Sequence, residues 1–196
     1  MKVKVDQQQE QIIIATIEEL DRWWKQATSD IFNQQRLIHF VEIDGNILYD
    51  NYEQYLLLNV SQIQEVNIQT LSRLESIQDT EQSIDDYLER FIPAAQDVTD
   101  QLYGEMMQQQ QNLFAQFIEG LGWIVKAFEF NQTLFNEDGI APPYLSQVME
   151  PLEAIITQIY DNVQQEDFVS VGDLIQYELI PLLQKFQNRK QKSELS

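Results

Sequence analysis

The spacing of apolar residues changes near residue 70, and this change constrains the fold more than any other feature of the sequence. Before it, short β-branched runs alternate with polar residues; after it, apolar residues recur every three or four positions. Alternation is typical of half-buried strands, and the longer spacing is typical of amphipathic helices. The sequence therefore predicts an α+β protein, with a small sheet-containing unit over residues 1–69 and an all-α bundle of four or five helices over residues 70–188.

Two strand signals and a helix signal open the N-terminal segment. Residues 2–5 alternate polar and apolar side chains, and a β-branched run at 12–14 follows a polar stretch, so a hairpin is expected. Thr16 and Glu19 have the spacing of a capping box, in which each side chain bonds the backbone N–H of the other residue. A helix of about four turns is expected to follow.

Two adjacent tryptophans lie in this predicted helix. Neighbouring helical residues point about 100° apart, so Trp23 and Trp24 cannot both face one pocket. Trp24 falls on the apolar stripe with Leu20 and Ala27, which predicts that Trp24 is buried. Trp23 is then expected at the edge of the stripe, where exposure would make it a candidate interface anchor.

A second group of strand signals follows the helix. The β-rich run at 37–43 ends at the Asp44-Gly45 turn, where glycine supplies the positive φ of a tight hairpin. Residues 47–49 return along the hairpin, a short helix is predicted next, and alternation resumes at 65–69. The last segment is expected to be the closing strand of the sheet.

The order strand, strand, helix, strand, strand, short helix, strand resembles the β-grasp, or ubiquitin-like, superfold. The resemblance rests on residues 35–38, on the Asp44-Gly45 turn, and on Asp50 or Asn51 as the cap of the short helix. It covers about a third of the chain and concerns topology. No diglycine tail follows the last strand, so conjugation chemistry is not implied.

The remaining sequence has helical spacing, with Thr70 as a candidate N-cap of the first helix. A polar gap at 78–83 either divides the first stripe into two helices or lies within one. Pro93 ends one element or opens the next, and Gly104 can end the following helix. The strongest pattern runs over residues 113–130, and the last helix over about 169–186.

Two glycines and several loop residues punctuate this region. Gly120 and Gly122 each cost about 1 kcal/mol in a helix relative to alanine, so they either permit close contact or mark a bend. Residues 136–143 form a loop pattern rich in glycine and proline, and Pro151 kinks or restarts the next helix. Residues 189–196 are polar and are predicted to be a flexible tail.

Charge and composition exclude several classes of function. The chain has 32 acidic and 12 basic residues and no cysteine. A net charge of −20 disfavours binding to nucleic acid and to anionic membranes. The absence of cysteine excludes disulfides, zinc fingers and thiol catalysis. With no long apolar run and no secretory leader pattern, we expect a cytoplasmic protein with no cofactor and no metal site.

His39 is the only histidine of the chain. A single histidine rules out the paired Glu-x-x-His motifs of di-iron bundles. Because His39 lies in the predicted strand between Leu37 and Val41, we expect a structural or surface position on the sheet, with a catalytic or pH-sensing role as the alternative.

Asp173 and Glu178 are candidate carboxylates with perturbed pKa values. Both lie in the last helix, and Pro181 frees the backbone carbonyl of Tyr177, four residues earlier. A carboxylate buried beside this interruption would have a raised pKa. The alternative is a carboxylate at the edge of the apolar stripe that reaches solvent or a tyrosine hydroxyl.

No catalytic, cofactor-binding or metal-binding motif emerges from these patterns. The expected function is therefore non-catalytic binding of another protein, as an adaptor or chaperone-like protein with an acidic surface. One alternative is an enzyme or small-ligand binder that uses carboxylates and tyrosines in a bundle pocket. Another is an acidic DNA mimic that inhibits a nucleic-acid-binding protein.

Overall fold

A computed structural model of the chain describes residues 1–103, 108–137 and 143–189. It divides into two compact units, Met1–Asp79 and Thr80–Ser196. The predicted α+β class is confirmed, because a five-stranded sheet precedes a helical region. The unit boundary lies ten residues beyond the predicted division between 69 and 70, which falls inside the last strand.

The first unit has the predicted order of elements. The sheet order is β2-β1-β5-β3-β4, with β1 parallel to β5 and all other neighbouring strands antiparallel. Helix α1 contributes its buried side chains to one core with the inward side chains of the sheet. The elements are β1 (Lys2–Val5), β2 (Gln11–Ile12), α1 (Ile17–Asn33), β3 (Arg36–Ile43), β4 (Asn46–Leu48), α2 (Tyr52–Asn59) and β5 (Glu65–Ser72).

Local polar contacts explain where several of these elements begin. Thr16 caps α1 by accepting a hydrogen bond from the Glu19 N–H at 3.3 Å, as predicted. Asn51, one of the two predicted caps, is the N-cap residue of α2, but it has a left-handed conformation and makes no side-chain cap bond. The predicted turn is present, with φ of 50° at Asp44 and 82° at Gly45.

Ser72, and not Thr70, caps helix α3. Thr70 lies within β5, and its N–H and hydroxyl donate to the Asp6 carboxylate at 2.7 and 2.6 Å. The Ser72 N–H donates to Glu75 Oε2 at 2.7 Å, and the Glu75 N–H donates to Ser72 Oγ at 3.3 Å. These two bonds form a capping box. The pKa of Glu75 is lowered mainly by the hydrogen bond from the Ser72 backbone N–H, and then by the Ser72 side chain. Strand and helix therefore meet without an intervening loop.

The second unit is built from long helices. Helix α3 continues without a break through residues 78–83, so the polar gap lies within one helix. It also continues past Pro93, so the prediction that Pro93 ends or opens an element is wrong. Pro151 likewise lies inside a helix. Gly104 and residues 138–142 of the predicted loop lie outside the described residues. The elements are α3 (Arg73–Leu102), α4 (Gln108–Glu137), α5 (Pro143–Gln164), α6 (Phe168–Leu174), a π-helical turn (Ile175–Leu179) and α7 (Ile180–Gln187).

These helices share one apolar core. Phe128 of α4 is fully buried and packs edge-to-face on Phe186 of α7, with ring centroids 4.7 Å apart. Ile175 and Leu179, the first and last residues of the π-helical turn, are both buried in this core. This core covers the side of α4 that carries Phe117, Ile124 and Phe128.

Candidate functional site

An apolar groove of about 520 Å³ opens on the surface between α4 and α5. We call it the α4–α5 groove. Ile118 on α4 is 41 % exposed and Tyr160 on α5 is 63 % exposed, so its walls present large apolar surfaces to solvent. The apolar walls are formed by Phe114, Ile118 and Val125 of α4 and by Ile156, Tyr160 and Val163 of α5.

The sequence of α4 produces this groove because the helix is apolar on two sides. Phe117, Ile124 and Phe128 recur at helical spacing and are buried in the core. A second stripe, shifted by one position, contains Ile118 and Val125 and is only partly covered. A helix that is apolar around much of its circumference needs neighbours on more than one side to bury it. On the side of the second stripe, α5 covers α4 only in part.

The two glycines of α4 have opposite surroundings. A Cβ atom at Gly120 would collide with the Tyr87 hydroxyl and lie 3.0 Å from Phe91 Cε2, so glycine permits a close contact between α3 and α4. Gly122 is exposed and lines the groove, and no described atom lies within 4 Å of a Cβ built there. Packing therefore explains Gly120, and the missing side chain at Gly122 deepens the groove.

The groove lies in an acidic part of the chain. Residues 80–189 contain eighteen acidic and four basic residues. Lys126 and Glu129 line the groove itself. The exposed carboxylates of Glu119 and Asp161 are next in sequence to wall residues of α4 and α5. The arrangement combines an apolar surface with a negative field.

A partly buried polar cluster joins α3, α5 and the end of α7. Arg189 donates to both Asp85 carboxylate oxygens at 2.7 and 3.3 Å and lies 3.6 Å from Glu81. Its guanidinium also lies 3.6 Å from the centre of the Phe186 ring. The Tyr144 hydroxyl donates to Glu81, and burial first, then this hydrogen bond, raises the pKa of Tyr144.

This cluster is the nearest match to the predicted carboxylate–tyrosine site. Its carboxylates bind Arg189 and Tyr144, so the described contacts fasten α3 to the end of α7. Arg189 is therefore ordered by ion pairs, which corrects its assignment to a flexible tail; residues 190–196 lie outside the described part of the chain.

Asp173 and Glu178 occupy positions that support the solvent-facing alternative. Glu178 is exposed, so the hypothesis that it is buried beside Pro181 is wrong. Asp173 is also exposed and accepts a hydrogen bond from the Tyr103 hydroxyl at 2.7 Å. This bond is the main cause that raises the pKa of Tyr103 to about 12. Neither carboxylate lines the α4–α5 groove.

The two tryptophans have exchanged their predicted positions. Trp23 is only 8 % exposed and shares the buried stripe of α1 with Leu20 and Ala27, so it cannot anchor a partner. Trp24 is half-buried, and its Nε1–H donates to Glu53 Oε1 at 3.0 Å. Both spacings, three and four residues from Leu20, suit a helical stripe, so periodicity alone could not separate the two.

His39 lies on the sheet, as predicted, at an irregularity in the pairing of β3 with β5. The register shifts between Ile38 and Phe40, so His39 is the extra residue of a bulge. Its ring contacts Phe40 and Tyr49, with centroids 5.2 and 5.8 Å away, and its Nδ1 lies 3.9 Å from an Asp79 carboxylate oxygen. These contacts place His39 in an aromatic surface cluster of the first unit.

The described residues contain neither a metal-binding cluster nor a membrane-spanning helix. No group of three or more histidine, aspartate or glutamate side chains in that part of the chain could hold a metal ion. No helix there is both long enough and apolar enough to cross a membrane.

Residues 79–189 match the model of a protein family described as Domain of unknown function (DUF8042). The match covers more than half of the chain. The chain belongs to this family. No curated protein and no solved structure matches the chain.

The DUF8042 domain coincides with the helical unit. It begins at residue 79, beside the unit boundary at Thr80, and ends at residue 189, where the described part of the chain also ends. Both walls of the α4–α5 groove and the Arg189 cluster lie inside it. The DUF8042 domain therefore contains the candidate site in full.

Proposed function

We propose that this chain is a non-catalytic binding protein whose DUF8042 domain holds a helical segment of a partner protein in the α4–α5 groove. The observation that carries the proposal is the groove itself, with exposed Ile118 and Tyr160 as walls and the open position at Gly122. Large exposed apolar patches on folded proteins mark interaction sites. The walls are aliphatic and aromatic, which suits burial of apolar surface.

A helix is the form of partner that fits this surface. The α4 side of the groove runs from Phe114 to Glu129, a distance of about 22 Å at the rise of an α-helix. A groove between two helices accepts the apolar face of an amphipathic helix, anchored at every third or fourth residue. Filling the groove would cover the second apolar stripe of α4.

A site-specific cross-linking experiment tests this proposal. A photoreactive phenylalanine analogue at position 118 is placed in the groove wall, and the same analogue at exposed position 178 is the control. In the cells that make the protein, we expect a discrete adduct from position 118 that the Gly122→Leu substitution abolishes. Equal adducts from both positions, or an adduct indifferent to Gly122→Leu, would contradict the proposal.

For the first unit we propose a β-grasp-like fold. The proposal is supported by the order of elements, by the parallel pairing of β1 with β5, and by the packing of α1 into the core of the sheet. It concerns topology alone and carries no conjugation chemistry.

A further inference from the structure

We infer that the segment held in the α4–α5 groove is a cationic amphipathic helix. The inference rests on the proposed function and adds the charge of the partner to it. An apolar groove alone would accept any helix with an apolar stripe, so the choice among such helices falls to the charges around the groove.

These charges are predominantly negative. The DUF8042 region has eighteen acidic residues against four basic ones between residues 80 and 189. Near the groove, Glu129 lines the wall, and exposed Glu119, Glu153 and Asp161 lie within three positions of wall residues. Lys126 is the one basic residue among the groove's lining residues. A helix with lysine or arginine beside its apolar stripe would place opposite charges together.

The same charges argue against other occupants. A second copy of the chain would bring its own acidic DUF8042 domain against this one, and like charges brought together at an interface are unfavourable. An acidic or phosphorylated segment would meet the same repulsion. A nucleic acid would present a phosphate backbone to the negative field and lacks an apolar stripe to fill the groove.

Two synthetic peptides of about 18 residues test the inference, since that length spans the groove. Both carry leucine at the same helical positions; one has lysine and the other glutamine at the remaining positions. Binding to the full chain is measured by calorimetry at about 50 mM and about 300 mM salt. We expect the lysine peptide to bind about tenfold more tightly at low salt, and this advantage to shrink at high salt.

Variants show whether binding occurs in the groove. Gly122→Leu and Ile118→Gln each change the apolar surface and should weaken both peptides about tenfold. Glu129→Gln should weaken the lysine peptide about two- to fivefold and leave the glutamine peptide unchanged. Glu178→Gln, an exposed carboxylate outside the groove, is the matched control and should change neither peptide.

Each outcome bears on one of the two claims. Equal binding of both peptides, lost in Gly122→Leu, would overturn the cationic partner and keep the groove. Binding of the lysine peptide that Glu178→Gln weakens as much as Glu129→Gln, and that Gly122→Leu leaves intact, would show general charge attraction and overturn the inference. Failure of both peptides would also overturn it, and the cross-link from position 118 would then decide the proposed function separately.

Discussion

The two sides of helix α4 differ in how closely neighbouring residues pack against them, although each side carries a glycine. The side of Gly120 is closed, because Tyr87 and Phe91 of α3 lie where a side chain would stand. The side of Gly122 is open, and the position lines a groove. The two residues point about 200° apart around the helix axis. A glycine within a helix can therefore either permit a close contact or leave an open space on the surface. Which of the two occurs depends on the position of the neighbouring helices.

The largest contrast is expected between two phenylalanines two positions apart. Phe128 is fully buried, and Phe128→Ala should lower the free energy of unfolding by about 3–5 kcal/mol through lost burial and a cavity. Phe130 is 44 % exposed, and Phe130→Ala should change it by less than about 1 kcal/mol. Urea denaturation of both variants is the measurement; equal losses would show that the difference in burial between Phe128 and Phe130 does not determine their contribution to stability.

A smaller loss is expected from filling the closed glycine position. In Gly120→Leu the new side chain must displace Phe91, which is buried and stacks on Phe117. We expect a loss of about 1–3 kcal/mol in the free energy of unfolding, because overpacking strains a well-filled core. If the Gly120→Leu protein unfolded at the same urea concentration as the parent, the side of α4 that carries Gly120 would not be closely packed.

Filling the open position should have the opposite sign. Gly122→Ala adds a methyl group where no described atom lies within 4 Å, and alanine favours the helix over glycine. We expect a gain of up to about 1 kcal/mol in the free energy of unfolding. Thermal and urea unfolding of Gly122→Ala beside Gly120→Ala provide the check, and a destabilised Gly122→Ala would mean that this side is also packed.

The smallest effect is expected at the hydrogen bond between Tyr103 and Asp173, next to a second closed glycine, Gly172. The Tyr103 ring lies 3.3 Å from a Cβ built there, and the Tyr103 hydroxyl donates to Asp173. Asp173→Asn should lower the pKa of Tyr103 from about 12 towards its ordinary value of 10.0. Absorbance of ionised tyrosine across the alkaline range measures this shift. An unchanged titration would show that the hydrogen bond to Asp173 does not raise the pKa of Tyr103.

The raised pKa of Tyr103 also makes the free energy of unfolding depend on pH in the alkaline range. Because the folded state favours the neutral phenol, its contribution is fully present below pH 10.0, the ordinary pKa, and is lost as the pH rises through about 12. Asp173→Asn should therefore make the free energy of unfolding less steeply dependent on pH in that alkaline range, and should leave its pH dependence near neutrality unchanged.

The sequence predicted the elements with strong local signals and failed where neighbours decide. Alternation, the Thr16 cap and the Asp44-Gly45 turn identified the strands and α1. The polar gap at 78–83 contains no glycine or proline, so nothing in it stops α3, and the alternative of one continuous helix is the one the structure has. The burial of Trp23 depends on which side of α1 faces the sheet core.

The groove was less predictable than the helices that form it. The helical pattern over residues 113–130 was predicted, but the exposure of Ile118 and Val125 within it depends on how much of α4 is covered by α5. The open space at Gly122 depends in the same way on atoms of other elements. Arg189 follows the last helix in a polar segment, and only its approach to Asp85 across the unit shows that it is held. Periodicity identifies which residues of a helix are apolar on one side, whereas the exposure of that side depends on how the helices pack together.

The position of β1 has a consequence for how the first unit acquires its structure. This strand comes first in the chain, yet it lies between β2 and β5, and its Lys2 pairs with Glu65. The chain must therefore close a loop of more than sixty residues before the parallel pair can form. Sheets that depend on such distant pairings fold slowly, in milliseconds to seconds, because the entropy of loop closure precedes the gain from contacts. During synthesis, β1 and β2 emerge long before β5. The β1–β2 hairpin therefore cannot pair with β5 in full until residue 72 has been made.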